Sequence, residues 1–219
     1  MSLFERLKAD CPVVWNNYID HEFTRGVGNG SLSKDAFLRY LAQDYLFLIE
    51  FSRAYALSIY KSNTLDQMKR GLKGVQSILD TEMQLHVRFS EKWGIHEQDL
   101  VNTKPEIATT AYTQFVLHSG MKGDLLDLKV ALAPCVIGYA EIGRSLLQSS
   151  NATGAENPFN DWILEYAGEE YQNLANEAIQ ELDLLASEYM TEQRYSRVLE
   201  IFEKATQLEV NFWDMGLGR

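Results

Sequence analysis

Asp44, Cys135 and Glu209 stand where a core hydrophobe is expected, each in the apolar stripe of a different helical stretch. The first stripe reads Phe37, Leu41, Asp44, Leu48, Phe51, Tyr55. The second reads Leu128, Leu132, Cys135, Tyr139, Ile142, Leu146, and the third Val198, Phe202, Ala205, Glu209, Phe212. Alternating steps of four and three keep side chains on one helix face, turned toward a shared core. A carboxylate on such a face costs on the order of several kcal/mol unless it is paired or put to use. Two acids and a thiol arriving from three helices therefore point to a site between helices. The residue types suit a thiol nucleophile, a proton-transferring glutamate and an aspartate that orients a substrate.

Each residue also has a plainer reading. A free cysteine on an apolar helix is usually packing, and Tyr139, one turn beyond Cys135, is either a partner for the sulfur or an ordinary core tyrosine. Pro134 removes a helix donor, so a kink is expected at the thiol. If Cys135 is a nucleophile, its surroundings should stabilise a thiolate. Asp44 and Glu209 taken singly could be a salt bridge or a cap on a neighbouring helix. A second polar pair occupies the stripe Val75, Leu79, Glu82, His86, Phe89, Trp93. Glu82 and His86 read either as a structural hydrogen-bonded pair or as support beside the site.

A carboxylate-bridged di-iron bundle needs two Glu-x-x-His elements. His21, His86, His96 and His118 are preceded three residues earlier by Tyr18, Met83, Trp93 and Phe115, so no such element exists. One axial histidine suffices for haem, but nothing in the sequence selects one.

The elements that must position these residues are helical almost from end to end. Gly26-Val27-Gly28-Asn29-Gly30 reads as a glycine-dense loop, and Ser33 as the N-cap of the helix carrying Asp44. No strand precedes those glycines, so a phosphate-binding reading of them is very weak. Thr64 to Gln67 and Thr103 to Glu106 read as capping boxes that open further helices. Gly123 closes one helix and Asp124 caps the next, which carries Cys135. Asn151 to Asn157 reads as a polar loop, with Pro158 at the first position of another helix, and a last helix runs from near Thr191 to about Trp213. Seven or eight helices joined by short loops, some near 28 residues, with no linker and no repeat, predict one all-α, single-domain helical bundle over residues 1–219.

The 219 residues carry a net charge of −11, spread along the helices. That balance argues against nucleic-acid binding, which rests on neutralising phosphates with Lys and Arg. No run approaches the ~18 apolar residues of a membrane helix. Met1 to Arg6 mixes charges and leads straight into helical pattern, so no signal peptide is expected. Two cysteines, Cys11 and Cys135, build no disulfide framework and fit a reducing cytoplasm.

With these residues in view, the chain resembles the TenA family, the thiaminase II or aminopyrimidine aminohydrolase group. The likeness is carried by His21-Glu22-Phe23 with Gly26, Gly28 and Gly30, by Tyr40-Leu41-Ala42-Gln43-Asp44-Tyr45, and by Glu82 to His86. It continues through Ala111-Tyr112-Thr113, Pro134-Cys135 with Tyr139, Trp162 to Gly168 around Tyr166, and Glu209 before Phe212-Trp213. The cysteine places the chain with the thiol-bearing branch.

The resemblance implies a haem-oxygenase-like helical fold, a homotetramer and no metal or haem. It implies hydrolysis at the methylene on C5 of a 4-aminopyrimidine. The substrate would be 4-amino-5-aminomethyl-2-methylpyrimidine or thiamine, and the product the hydroxymethylpyrimidine used to rebuild thiamine. Cys135 matches the family nucleophile and Glu209 the acid/base, while Asp44 matches the carboxylate that holds the amino and ring-nitrogen edge. Tyr112, Tyr139 and Tyr166 match tyrosines around ring and thiol, and Phe47 lies where this branch often has tyrosine. The alternative on the same scaffold is a non-catalytic pyrimidine or thiamine carrier, which would need only Asp44 and the aromatics. A third reading, a regulatory protein, would show salt-sensitive DNA binding, which the acidic sequence does not favour.

Overall fold

A computed structural model of the chain describes residues 1–149 and 157–219. Every regular element among the described residues is helical. Three short helices open the chain: α1 (Leu3–Asp10), α2 (Pro12–Ile19) and α3 (Glu22–Asn29). Next comes α4 (Lys34–Lys61), 28 residues long, whose N-cap Ser33 accepts a 3.2 Å bond from the Ala36 amide. Then α5 (Leu65–Gln76), a π-helical turn (Ser77–Glu82) and α6 (Met83–Lys92) run on without a break in backbone conformation. The short α7 (Glu97–Val101) leads to α8 (Ile107–Lys122). A second interrupted helix comprises α9 (Leu125–Ala133), a π-helical turn (Pro134–Gly138) and α10 (Tyr139–Gln148). The chain ends with α11 (Asn160–Ala167), α12 (Glu169–Tyr189) and α13 (Glu192–Leu217).

The centre of the bundle is α9, packed against α4, α8, α12 and α13, with every residue from Leu125 to Ala133 buried. A helix buried all round must pair its charges. Asp127 does so with Arg194 at 2.7 Å and Arg197 at 2.8 Å, and Lys129 with Glu181 at 3.0 Å. Pro134 has no N–H to return to the preceding turn and its ring crowds the carbonyl there. The helix accommodates it by widening into the π turn, where the sequence had led us to expect a kink. Tyr18 fixes that turn by donating a 3.2 Å bond to the Pro134 carbonyl, and a side chain at Gly138 would meet the Tyr18 ring at 2.2 Å.

Several other expectations change. The glycine-dense segment is helical through Asn29, and only Gly30 leaves the helix, at φ 74°. Gly28 serves close packing, since a Cβ there would lie 2.7 Å from Leu146. The box at Thr103 opens no helix. Pro105 disfavours helical backbone before it, and Gln43 holds the extended segment by bonding the Lys104 carbonyl at 3.0 Å and the Glu106 amide at 2.9 Å. The helix expected at Pro158 begins at Asn160, because the Asn157 side chain accepts from the Phe159 amide at 2.9 Å and builds a turn first. Helical segments also outnumber the seven or eight foreseen, since turns at Cys11 and Asp20 divide the N-terminal stretch and both long helices contain π turns. The polar loop read at Asn151 to Asn157 lies, apart from Asn157, outside the described residues.

Candidate functional site

Within residues 125–140, Cys135 is the one side chain that is not fully buried. The widened turn presents its sulfur to a small inner cavity of about 20 Å³, shared with Phe51, Tyr55, Glu82, Tyr171 and Val136 among others. That volume holds about one water. Four of its wall residues, Ser77, Glu82, Tyr171 and Leu174, also line an outer cavity of about 220 Å³ that opens between the α5–α6 helix and α12. Glu165, Glu170 and Glu177 line this vestibule too, with Lys73 as its cation. A passage from solvent toward the thiol is thus laid out, and entry of an aromatic ring requires its walls to part.

Glu209 lies on α13, 1% exposed, and accepts a 2.8 Å bond from the Tyr112 hydroxyl of α8. Burial pushes its carboxyl up to about 8, with the Tyr112 bond opposing and the Asp44 charge adding. Phe47 packs on this pair, its ring 4.9 Å from Tyr112 and 5.7 Å from Phe212. It is core in this structure, next to the site yet closed to solvent at 3% exposure.

Asp44 is held from two sides. His86 Nε2 lies 2.5 Å from Asp44 Oδ2, an ion pair by distance although the N–H axis is not aimed at that oxygen. The Tyr40 hydroxyl, one turn earlier on α4, donates to the same oxygen at 3.1 Å. Trp162 Nε1 donates to Tyr40 at 3.2 Å, and the phenols of Tyr139 and Tyr166 approach the same hydroxyl. Burial alone would push the His86 imidazole down, but the Asp44 and Glu82 charges outweigh it and hold the ring above its ordinary value. His86 therefore pairs with Asp44 across a buried contact, and no hydrogen bond joins its side chain to that of Glu82 among the described residues.

Burial, followed by the charges of Glu209, Asp44 and Glu82, pushes the Cys135 thiol well above its ordinary value. Among the described residues the expected thiolate-stabilising surroundings are absent, because the charges acting on the sulfur are those of three acidic groups. The free site carries a protonated thiol. This arrangement suits addition of an S–H group as a whole, its proton travelling with the reaction.

All seven residues singled out from sequence thus gather at one end of α9. Glu209 pairs with Tyr112 and Phe47 packs on them; Asp44, Tyr139 and Tyr166 meet at Tyr40; only Cys135 among the seven faces the open cavity. Sequence reasoning gave Tyr40 no role although it precedes Asp44 by four residues on the same helix face, a spacing that alone brings two side chains together. Trp162 and Tyr171 carried no comparable signal, since their place depends on how α11 and α12 fold back. Among the described residues no group of three His, Cys, Asp or Glu side chains is placed to hold a metal ion. No helix among them is long and apolar enough to cross a membrane.

The TENA/THI-4/PQQC family pattern matches residues 10–219. An aminopyrimidine aminohydrolase of Halalkalibacterium halodurans is 36% identical over 215 residues, which cover 98% of this chain and 93% of that protein. The crystal structure of a TenA family transcription regulator from a Silicibacter species superposes with a TM-score of 0.93 at 41% identity, covering 99% of this chain and 97% of that one. A domain with a heme oxygenase-like fold from Shewanella denitrificans gives a TM-score of 0.73 at 15% identity, over 98% of this chain and 92% of that one. This last likeness is one of fold alone, and the all-α bundle has that arrangement.

Proposed function

The chain belongs to the TENA/THI-4/PQQC family, and from that premise we propose that it is an aminopyrimidine aminohydrolase. It cleaves the C–N bond at the C5 methylene of a 4-aminopyrimidine, with 4-amino-5-aminomethyl-2-methylpyrimidine or thiamine as substrate and the hydroxymethylpyrimidine as product. The observation that carries this reading is the opening of Cys135 alone, within the otherwise buried stretch 125–140, to a cavity, with the charges of Glu209 and Asp44 acting on its sulfur.

Asp44 holds the amino and ring-nitrogen edge of the pyrimidine through charge-assisted bonds, and His86 and Tyr40 keep it in place. The Cys135 S–H adds across the C6–N1 bond, sulfur to carbon and proton to nitrogen, and the ring loses its aromaticity. Electrons of the dearomatised ring, pushed from the 4-amino nitrogen, displace the methylene nitrogen, which leaves with the C–N bonding pair. Glu209, in its acid form, supplies a proton where that nitrogen is a neutral amine; an ammonium or thiazolium nitrogen needs none. As a carboxylate it then takes a proton from the water that adds to the methylene. Breaking the S–C6 bond restores the ring and returns the proton to sulfur. A carboxyl raised to about 8 is suited to act in both directions near neutral pH.

Retention of both Cys135 and Glu209 favours the enzyme over a carrier, because binding requires neither. The reading extends to a single-domain, cytoplasmic homotetramer. Exposed Tyr60, Leu65 and Leu72 offer apolar surface for such contacts. Incubating the protein with each of the two substrates and separating products by chromatography tests the assignment. Formation of hydroxymethylpyrimidine supports it, and binding without any product returns the protein to the carrier reading.

A further inference from the structure

Glu82 takes no part in the chemistry above, yet it stands on the inner wall that the two cavities share. It ends the π turn Ser77–Glu82, as Cys135 sits within the other π turn. It is only partly buried, and among the described residues it has neither an ion pair nor a side-chain hydrogen bond. The cations near it are already engaged. Lys73 bonds Glu177 at 2.6 Å, and His86 sits against Asp44. What remains facing Glu82 is acidic: Asp44 and Glu165 from neighbouring helices, with Glu170 and Glu177 farther out along the vestibule. A carboxylate that shares its one nearby cation, His86, with Asp44 at the inner end of an acidic passage is a place for a further cation.

Both candidate substrates bring one. The methylene nitrogen is an ammonium in the aminomethylpyrimidine and part of a quaternary thiazolium in thiamine. The product, a hydroxymethylpyrimidine, has a neutral oxygen at the same position. We propose that Glu82 is the counter-ion of this cationic nitrogen, so that it selects charged substrates over neutral rings and prefers the substrate to the product. The inference rests on the aminohydrolase reading, which supplies the ring and its orientation toward Cys135. It assigns to Glu82 a contact with the leaving group, distinct from the proton transfers of Glu209. Burial, with Asp44 and Glu165 adding and His86 opposing, raises the Glu82 carboxyl to about 7, so arrival of a cation also favours its ionised form.

The test compares two ligands that share the ring and differ in charge: 4-amino-5-aminomethyl-2-methylpyrimidine and 4-amino-5-hydroxymethyl-2-methylpyrimidine. Affinities are measured calorimetrically on the full chain carrying Cys135→Ser to suppress turnover, with and without Glu82→Gln. Loss of one charge-assisted contact should weaken the aminomethyl ligand about ten- to a hundredfold. Affinity for the hydroxymethyl ligand should stay within about twofold. Glu170→Gln, which alters the outer vestibule and leaves the Lys73–Glu177 pair intact, should leave both ligands within about twofold. Equal weakening of both ligands by Glu82→Gln, no weakening of either, or an equal effect from Glu170→Gln overturns the assignment. If the parent protein binds neither ligand, the aminohydrolase reading itself fails and this inference goes with it. Should Glu82→Gln not fold, Glu82→Asp keeps the charge one methylene farther back. It should weaken the aminomethyl ligand selectively, and an equal effect on both ligands overturns the assignment there too.

Discussion

His86 Nε2 lies 2.5 Å from Asp44 Oδ2, with both side chains nearly closed to solvent. Removing one member of a buried ion pair typically costs about 3–5 kcal/mol, because the other is left uncompensated. His86→Gln should therefore melt on the order of 10 °C lower, at about 2–4 °C per kcal/mol for a chain of this size. The pH dependence has a definite sign. The folded His86 binds its proton more tightly than the unfolded one, so the contribution is complete below the ordinary histidine range and is lost as pH rises through the raised value. The gap between wild type and variant should narrow from pH 6 to pH 9 in thermal scans. A constant gap would make the contact one of packing alone.

Glu209→Gln should bind substrate almost normally and lose about two to four orders of magnitude in turnover, the usual share of general acid–base catalysis. Its stability should move the other way at high pH. The wild-type carboxyl is raised to about 8, so its stabilising protonated state is complete below the ordinary glutamate range and is lost as pH rises through about 8. The amide has no proton to lose. At pH 9 the variant should melt higher than wild type, and at pH 4 the two should coincide.

Asp44→Asn should reduce both affinity and turnover, because an orienting charge acts in the ground state and the transition state alike. Substrate titration and initial rates measured together decide the matter. Unchanged kinetics would make Asp44 purely a partner for His86 and Tyr40.

Cys135→Ser should fold, since the change is small, and lose nearly all activity. Alkylation followed by peptide mapping should find Cys135 reacting faster than Cys11, for a reason of access. Cys135 opens on the cavity, whereas Cys11 is buried, donates to the Leu7 carbonyl at 3.1 Å and is pushed up to about 11. Both should be slow at neutral pH, because neither thiol is poised as thiolate. Aminopyrimidine should protect Cys135 and leave Cys11 unaffected. A fully active serine variant returns Cys135 to the core.

Phe47→Tyr places a hydroxyl against the rings of Tyr112, Phe51 and Phe212. With the site closed at this point, a new polar group lacking a partner costs about 1–3 kcal/mol. The variant should melt a few degrees lower and shift the ratio of efficiencies between thiamine and the aminomethylpyrimidine. An unchanged ratio would make Phe47 plain core.

The bundle and its central site were legible in the sequence because a polar residue in a four-three apolar stripe is conspicuous. Asp44, Cys135 and Glu209 each break such a stripe, and all three stripes converge as their spacing required. The caps at Ser33 and Asp124 were legible because a short side chain bonding the third amide beyond it is a local event. At Thr64 the N-cap forms, but Gln67 reaches the Asn63 amide instead of closing the box. The protonation of Cys135 was not legible, since it depends on three carboxylates from distant parts of the chain. Neither was the His86 to Asp44 contact, which joins two stripes that the sequence presents separately.

The two π turns have a consequence for how this protein tolerates changes of length. A π turn holds one residue more than the α turn it replaces. Deleting a single residue within 77–82 or 134–138 would restore regular winding and leave the helix beyond nearly in phase with the core, because the extra residue is taken up within the turn itself. What such a deletion removes is the widened turn that presents the side chain. Loops at the periphery can gain or lose residues with little consequence, but the chain length across these two turns sets how Glu82 and Cys135 are presented. Point substitutions can tune the site; a single-residue deletion in either turn should dismantle it.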